Sequence, residues 1–127
     1  MNGRYRYPPT LRLLRPREFQ AVFDGATFKV GEGHFLLLVR PNSLGHPRLG
    51  LVIAKKKVRR SVDRNRLKRT VRESFRLSQS ALPPADVIFM ARQDLSSQSG
   101  EALRSALDRA WKRMIRKAPP PDAGVEP

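Results

Sequence analysis

Residues 48–76 read RLGLVIAKKKVRRSVDRNRLKRTVRESFR, an apolar run followed at once by a strongly basic one. The first part, Arg48 to Ala54, has the length and the apolar composition of a strand. From about Val62 to Leu77 the apolar residues recur at helical spacing. This stretch therefore predicts a strand that leads through a short connection into a basic helix.

The basic part of this stretch carries most of the positive charge of the chain. From Lys55 to Arg76 there are eleven lysines and arginines against Asp63 and Glu73, a net charge of +9 within the formal +15 of the whole chain. A helix face that meets only solvent usually mixes the two signs, so this one-sided density indicates a polyanionic partner. Nucleic acid is the first candidate, and a solvated basic face is the alternative.

Length and composition limit the class of protein. The 127 residues are enough for one domain with a modest core. The absence of cysteine excludes disulfides, cysteine zinc sites and thiol nucleophiles. No apolar run approaches the roughly 20 residues of a membrane span, and Met1 to Thr10 lacks the apolar stretch of a secretory signal. We expect a cytoplasmic protein without a membrane partner.

The remaining pattern predicts an α-β-β-β-α-β-α order. The predicted helices are 16–24, 62–77 and 100–117, and the predicted strands are 27–30, 34–40, 48–54 and 86–92. This order indicates an α/β two-layer sandwich around a four-stranded sheet. We expect residues 1–10 to be a flexible basic arm, 11–117 to be a single RNA-binding α/β domain, and 118–127 to be a disordered proline-rich tail.

Helical geometry divides the surfaces of the two long helices. In the basic helix, an apolar arc contains Leu67, Val71, Ser74 and Phe75, and a cationic stripe on another side contains Asn65, Lys68, Arg69, Arg72 and Arg76. Arg64 falls within the apolar arc, where it either belongs to the first turn or extends its stem across the edge of the core. The last helix is predicted to bury Leu103, Ala106, Leu107, Ala110, Trp111, Met114 and Ile115.

Such a stripe suits structured RNA. Guanidinium groups hold phosphate oxygens in a bidentate manner, and Asn65 can donate to and accept from a base edge or a 2′-hydroxyl group. A ribosomal or RNA-chaperone protein and a DNA-binding protein are the other classes that share this charge. For DNA, the basic helix resembles neither a helix-turn-helix nor a heptad-linked basic region, and we expect no DNA partner.

Three runs in and around the basic helix closely resemble the protein subunit of bacterial ribonuclease P. They are residues 48–60, 64–69 with the complete Arg-Asn-Arg signature, and 72–76. The resemblance extends from about Leu11 to the region of Trp111. It implies the same element order, with an unusual left-handed crossover around the basic helix. It also implies an accessory role for the protein, because in this family an RNA subunit cleaves precursor tRNA to leave the mature 5′ end.

The resemblance further implies two binding surfaces and the partners of each. The surface that faces the catalytic RNA consists of Arg59, Arg60, Arg64, Asn65, Arg66, Lys68, Arg69 and Arg72. The cleft for the single-stranded 5′ leader, between the first helix and the sheet, consists of Phe19, Phe23, Phe35, Lys55, Lys56 and Lys57. Phe19 and Phe23 are equally well explained as core residues. The implied particle contains one protein and one RNA, and its magnesium ions are held mainly by the RNA.

No arrangement of side chains in the sequence indicates catalysis by the protein itself. A nuclease site needs clustered carboxylates for metal ions or a histidine acid and base. The acidic residues are scattered, and the two histidines, His34 and His46, are predicted to lie at the start of a strand and in a turn. We therefore expect no catalytic residue and no metal ligand in the protein.

Overall fold

The elements of the domain follow the predicted order, as seen in a computed structural model that describes residues 9–118. The helices are α1 (Pro16–Gly25), α2 (Ser61–Ser78) and α3 (Gly100–Lys117), and the strands are β1 (Phe28–Glu32), β2 (Phe35–Pro41), β3 (Arg48–Val52) and β4 (Ala85–Ala91). The α/β class and the element order are confirmed. The predicted arm and tail lie outside the described residues, apart from Pro9, Thr10 and Ala118 at their inner ends.

The four strands form one mixed sheet with the order β1-β2-β4-β3. β4 pairs antiparallel with β2 and parallel with β3, so α2 is the crossover connection between two neighbouring parallel strands. β4 is covered on both faces, which explains its unbroken apolar run from Val87 to Met90. β3 is shorter than predicted, because its pairing with β4 ends at Val52. The left-handedness of this crossover connection stays a prediction.

One face of the sheet carries the main core, beneath α2 and α3. The rings of Phe35 and Phe89 meet there with centroids 4.7 Å apart. The predicted apolar arc of α2 is confirmed, since Leu67, Val71, Ser74 and Phe75 are all buried. The predicted inner face of α3 is confirmed except for Ile115, which is 40% exposed because it lies at the edge of that face, about 100° around the helix from the fully buried Met114.

The other face of the sheet packs against α1. A small cluster of Leu13, Val22, Leu38 and Ile88 is buried between this helix and strands β2 and β4. Gly50 of β3 permits a close contact here, because a Cβ atom at this position would lie 2.6 Å from Cε2 of Phe19. The ring of Phe19 therefore rests directly on the backbone of the strand.

The C-terminal cations of α3 turn toward the edge strand β1. Arg113 Nη1 donates to the carbonyl oxygen of Gly31 at 2.7 Å, and Lys117 Nζ donates to that of Lys29 at 2.7 Å. These carbonyls belong to a strand with a pairing partner on one side only. Arg113 and Lys117 thus satisfy the free edge of the sheet, which protects it from pairing with another chain.

Candidate nucleic-acid interface

The outer side of α2 presents a row of cations and one amide to solvent. Asn65, Arg69 and Arg72 are exposed, and Lys68 is half-buried between them and the core. The buried arc of the same helix holds this row in place against the main core. We call Asn65, Lys68, Arg69 and Arg72 the α2 stripe. Its chemistry suits phosphate oxygens at several points along one RNA.

Two further cations precede α2 and extend the same positive region. Arg59 and Arg60 are exposed, and Arg60 Nε lies 3.7 Å from Oδ2 of Asp63 in the first turn of the helix. Val58, immediately before them, is fully buried and anchors the segment in the main core. The segment that leads into α2 is therefore held at Val58 while the charges of Arg59 and Arg60 stay in solvent.

The two arginines of the Arg-Asn-Arg signature bind the protein's own backbone. Arg64 Nη1 donates to the carbonyl oxygens of Val58 at 2.9 Å and Arg59 at 2.8 Å. Arg66 donates to carbonyl oxygens in the loop before α3, and both arginines are only half-exposed. The structure therefore brings Asn65 and the rest of the α2 stripe to solvent, and it turns Arg64 and Arg66 toward neighbouring loops.

A half-exposed apolar surface lies beside α1 on the opposite face of the sheet. Leu36, Met90 and Val52 are partners in register across β2, β4 and β3, and each is only partly buried. Phe19 stands next to this row, over Gly50. We call Phe19, Leu36, Val52 and Met90 the α1-side patch. It occupies the place predicted for a cleft between the first helix and the sheet.

The predicted cleft residues differ in their access to this patch. Phe19 belongs to it, and Phe23 is 41% exposed on α1. The placement of Phe35 in the cleft is corrected by the structure, because its side chain is fully buried on the opposite face, against Phe89. Successive residues of a strand point to opposite faces, and Leu36 occupies the position on the α1 side.

Cations lie at both ends of the α1-side patch. Lys55 and Lys56 are exposed in the turn that follows β3, and Lys57 is half-buried there. At the other end, Nη2 of Arg92 is 3.4 Å from the position that a Cβ atom of Gly31 would occupy. Gly31 is the register partner of Leu36, so Arg92 continues the row across β1.

Arg92, Val52 and Met90 were missed by the sequence reasoning. The available signal was the alternation of β4, in which residues 88, 90 and 92 share one face.

A buried ion pair fixes the position of α1 on the sheet. Arg48 Nε and Nη2 donate to the two carboxylate oxygens of the buried Asp86 at 2.9 and 2.8 Å, and Nη1 donates to Oε2 of Glu18 at 3.2 Å. Oε1 of Glu18 accepts from the backbone N–H groups of Leu14 at 2.6 Å and Arg15 at 3.0 Å. This carboxylate thus satisfies backbone donors at the start of α1 and ties that end of the helix to β3 and β4.

These contacts shift the pKa values of Glu18 and Arg48. The backbone donors at Arg15 and Leu14, and then the charge of Arg48, lower the pKa of Glu18. The hydrogen bonds to Asp86 raise the pKa of Arg48. The Glu18 carboxylate therefore keeps its charge to a lower pH than an ordinary glutamate does, and the contact with Arg48 persists with it.

Within residues 9–118, no group of three or more His, Asp or Glu side chains is arranged to hold a metal ion. In the same range no helix has both the length and the apolar character to cross a membrane. His46 Nδ1 lies 3.1 Å from the carbonyl oxygen of Pro47, and the carbonyl oxygen of His34 accepts from Arg92 and Gln93. The imidazole of His46 and the backbone of His34 therefore have structural contacts.

Comparison with known proteins identifies the class to which this fold and these surfaces belong. The family model of Ribonuclease P matches residues 7–115. The "Ribonuclease P protein component" of Azotobacter vinelandii is 53% identical over 108 residues, which cover 85% of this chain and 83% of the relative. That of Pseudomonas entomophila is 48% identical, over 91% of this chain and 90% of the relative.

Solved structures agree with the sequence relatives. The Staphylococcus aureus RNase P protein superposes with a TM-score of 0.75 at 28% identity, covering 84% of this chain and 95% of that chain. The Thermotoga maritima RNase P protein superposes with a TM-score of 0.71 at 31% identity, covering 80% and 96%.

The α/β fold with its basic crossover helix, together with these relatives, defines the class of protein: it is a protein subunit of an RNA-containing enzyme. The chain belongs to the ribonuclease P protein family. It is a subunit of the ribonucleoprotein that processes the 5′ end of tRNA, and its partner in that particle is the ribonuclease P RNA.

Proposed function

We propose that the α2 stripe, with Arg59 and Arg60, binds the ribonuclease P RNA, and that the α1-side patch binds the 5′ leader of precursor tRNA. The observation that carries this proposal is the position of the two surfaces on opposite faces of one sheet. Because α2 packs on one face and the patch lies on the other, neither RNA needs to displace the other. One small subunit can therefore hold the catalytic RNA and the substrate at the same time.

The exposure of the α2 stripe supports the part of the proposal that concerns the catalytic RNA. Lys68 makes no hydrogen bond or ion pair with any other side chain in the range 9–118, so its ammonium group is available to a phosphate. Each phosphate contact contributes about 0.9 to the slope of log K against log salt on a duplex. We expect Lys68→Ala to weaken assembly and to lower this slope by about 0.9. An unchanged slope, measured by equilibrium binding at several salt concentrations, would show that the stripe is only solvated.

The dimensions of the α1-side patch support the part that concerns the leader. Its row crosses four strands, from Gly31 through Leu36 and Met90 to Val52. Neighbouring strands lie about 4.8 Å apart, so the row is roughly 14 Å long. The four-stranded sheets of RNA-recognition motifs stack two or three bases on aromatic side chains; in the α1-side patch the ring of Phe19 offers the stacking surface, and Leu36, Met90 and Val52 offer apolar contact. The lysines after β3 and Arg92 at the opposite end supply cations for the leader's phosphates.

We also propose that hydrolysis itself is carried out by the RNA subunit, with magnesium ions that the RNA holds, in the cytoplasm. The protein then contributes binding and orientation of the substrate. Protein freed of all RNA should not cleave precursor tRNA, and the RNA alone should cleave it slowly at high magnesium concentration. Efficient cleavage by RNA-free protein would contradict this division of work.

A further inference from the structure

The loop between β4 and α3, residues 92–99, accepts two hydrogen bonds from one arginine of α2. Arg66 Nη2 donates to the carbonyl oxygen of Ser96 at 3.1 Å, and Arg66 Nη1 donates to that of Gln98 at 3.4 Å. The two acceptors are two residues apart in the loop, and the planar fork of one guanidinium group reaches both. Arg66 thus uses its two terminal nitrogens within the protein.

The loop has an ordered interior that this attachment can hold. Leu95 is fully buried in the main core, and the N–H of Gln98 donates to the carbonyl oxygen of Leu95 at 3.0 Å. The N–H of Ser96 donates to Oδ1 of Asp94 at 2.9 Å. Ser99 ends the loop as the N-cap of α3, with its Oγ accepting from the N–H of Ala102 at 3.0 Å. The carbonyls of Ser96 and Gln98 accept from Arg66 of α2.

The other arginine of the signature makes the same kind of contact on the other side of the helix. Residues 64 and 66 are two positions apart, so their side chains leave the helix axis about 200° apart. Arg64 binds the carbonyls of Val58 and Arg59 in the segment before α2, while Arg66 binds the loop before α3. Asn65, between them, is exposed. The signature therefore holds one neighbouring segment on each side of α2.

We propose that Arg66 is a positioning residue: it fixes the 92–99 loop to α2 and contacts no phosphate of the catalytic RNA. This inference rests on the proposed role of the α2 stripe, because it assigns the phosphate contacts to the stripe and the loop to Arg66. The loop also links the two proposed RNA-binding surfaces of the protein, because it begins at Arg92, beside the α1-side patch, and is held to α2 by Arg66. Arg66 holds the loop that carries this cation in a fixed position relative to the RNA-binding helix.

The experiment compares Arg66→Lys, Arg66→Ala and the matched control Lys68→Ala, two positions along the same helix and also half-buried. Two quantities are measured: the hydrogen-exchange rates of the Ser96 and Gln98 amides in the protein, and the salt dependence of assembly with the ribonuclease P RNA. Arg66→Lys keeps the charge but loses the planar fork, so it separates positioning from phosphate binding. It also carries the test if Arg66→Ala does not fold.

Both Arg66 variants should exchange the two amides about tenfold faster, which corresponds to about 1.4 kcal/mol, and both should keep the wild-type salt slope. Lys68→Ala should keep the wild-type exchange rates and lower the slope by about 0.9. Wild-type exchange in Arg66→Lys, or a slope lowered by about 0.9 in Arg66→Ala, overturns the inference. An unchanged slope in Lys68→Ala instead overturns the proposed role of the stripe, whatever the exchange rates of the Arg66 variants.

Discussion

Replacing Phe19 with leucine tests whether the α1-side patch stacks on the 5′ leader. The ring of Phe19 rests on Gly50 and is only partly buried, so one side of it remains accessible. Leucine keeps most of the apolar contact with the sheet, and swaps of similar volume usually cost less than about 1.5 kcal/mol of stability. It removes the flat aromatic surface, which contributes about 1–3 kcal/mol per stacked base.

The expected result is a selective loss of binding. Holoenzyme with Phe19→Leu should bind leader-bearing precursor tRNA roughly 5- to 150-fold more weakly, the equivalent of about 1–3 kcal/mol. Its affinity for mature tRNA should be unchanged, because mature tRNA has no leader. The measurement is equilibrium binding of both RNAs to the wild-type and variant holoenzymes, together with thermal melts of the free proteins.

Val22→Ala is the matched control on the same helix. Val22 is fully buried in the small cluster beneath α1, so it has no access to an RNA. Removing its two methyl groups should cost about 2 kcal/mol of stability, with no preference between the two RNAs. If Phe19→Leu behaves like this control, or weakens the binding of both RNAs equally, Phe19 is a core residue and the leader does not stack on it.

Three further predictions concern the contacts that hold the domain together. Arg48→Met should destabilise the fold by about 3 kcal/mol in urea unfolding, because it removes the cation that pairs with the buried Asp86 and leaves this carboxylate with the neutral donor Asn42 Nδ2; a loss below about 1 kcal/mol would show that water replaces the arginine. The pKa of Glu18 is lower in the folded state than its ordinary value of 4.5. The stability that its carboxylate contributes to the fold is therefore complete above pH 4.5 and is lost as the pH falls through the pKa of the folded state. Glu18→Gln should therefore reduce the difference in stability between pH 7 and pH 3, and an unchanged difference would contradict this account. Ser74→Ala removes the acceptor of the buried Trp111 Nε1–H group, 2.8 Å away, and should cost about 1–3 kcal/mol in the same unfolding assay, whereas no loss would mean that another acceptor takes its place.

The helices were predicted well because their geometry is local. An α-helix places residues three and four apart on one side whatever surrounds it. The buried arc of α2 and the inner face of α3 up to Met114 could therefore be read from spacing alone. The prediction for Ile115 was wrong because this residue lies at the edge of the inner face, about 100° around the helix from Met114, and the width of the buried arc depends on tertiary packing.

The strands show where local pattern is insufficient. Alternation separates Phe35 and Leu37 from Leu36 and Leu38, but it does not say which set faces α1. The structure places Phe35 in the main core and Leu36 on the α1 side. An aromatic side chain in a strand next to a predicted cleft was therefore assigned to the wrong face.

The sequence by itself determined the element order, the buried sides of the helices and the concentration of charge on α2, because these follow from backbone periodicity and composition. Only the tertiary structure decided the partners of individual charged groups. Arg66 meets a loop about thirty residues further along the chain, and Arg48 meets an aspartate 38 residues away. Such contacts depend on how the crossover brings distant segments together, and a guanidinium group can donate to a carbonyl or a carboxylate as well as to a phosphate.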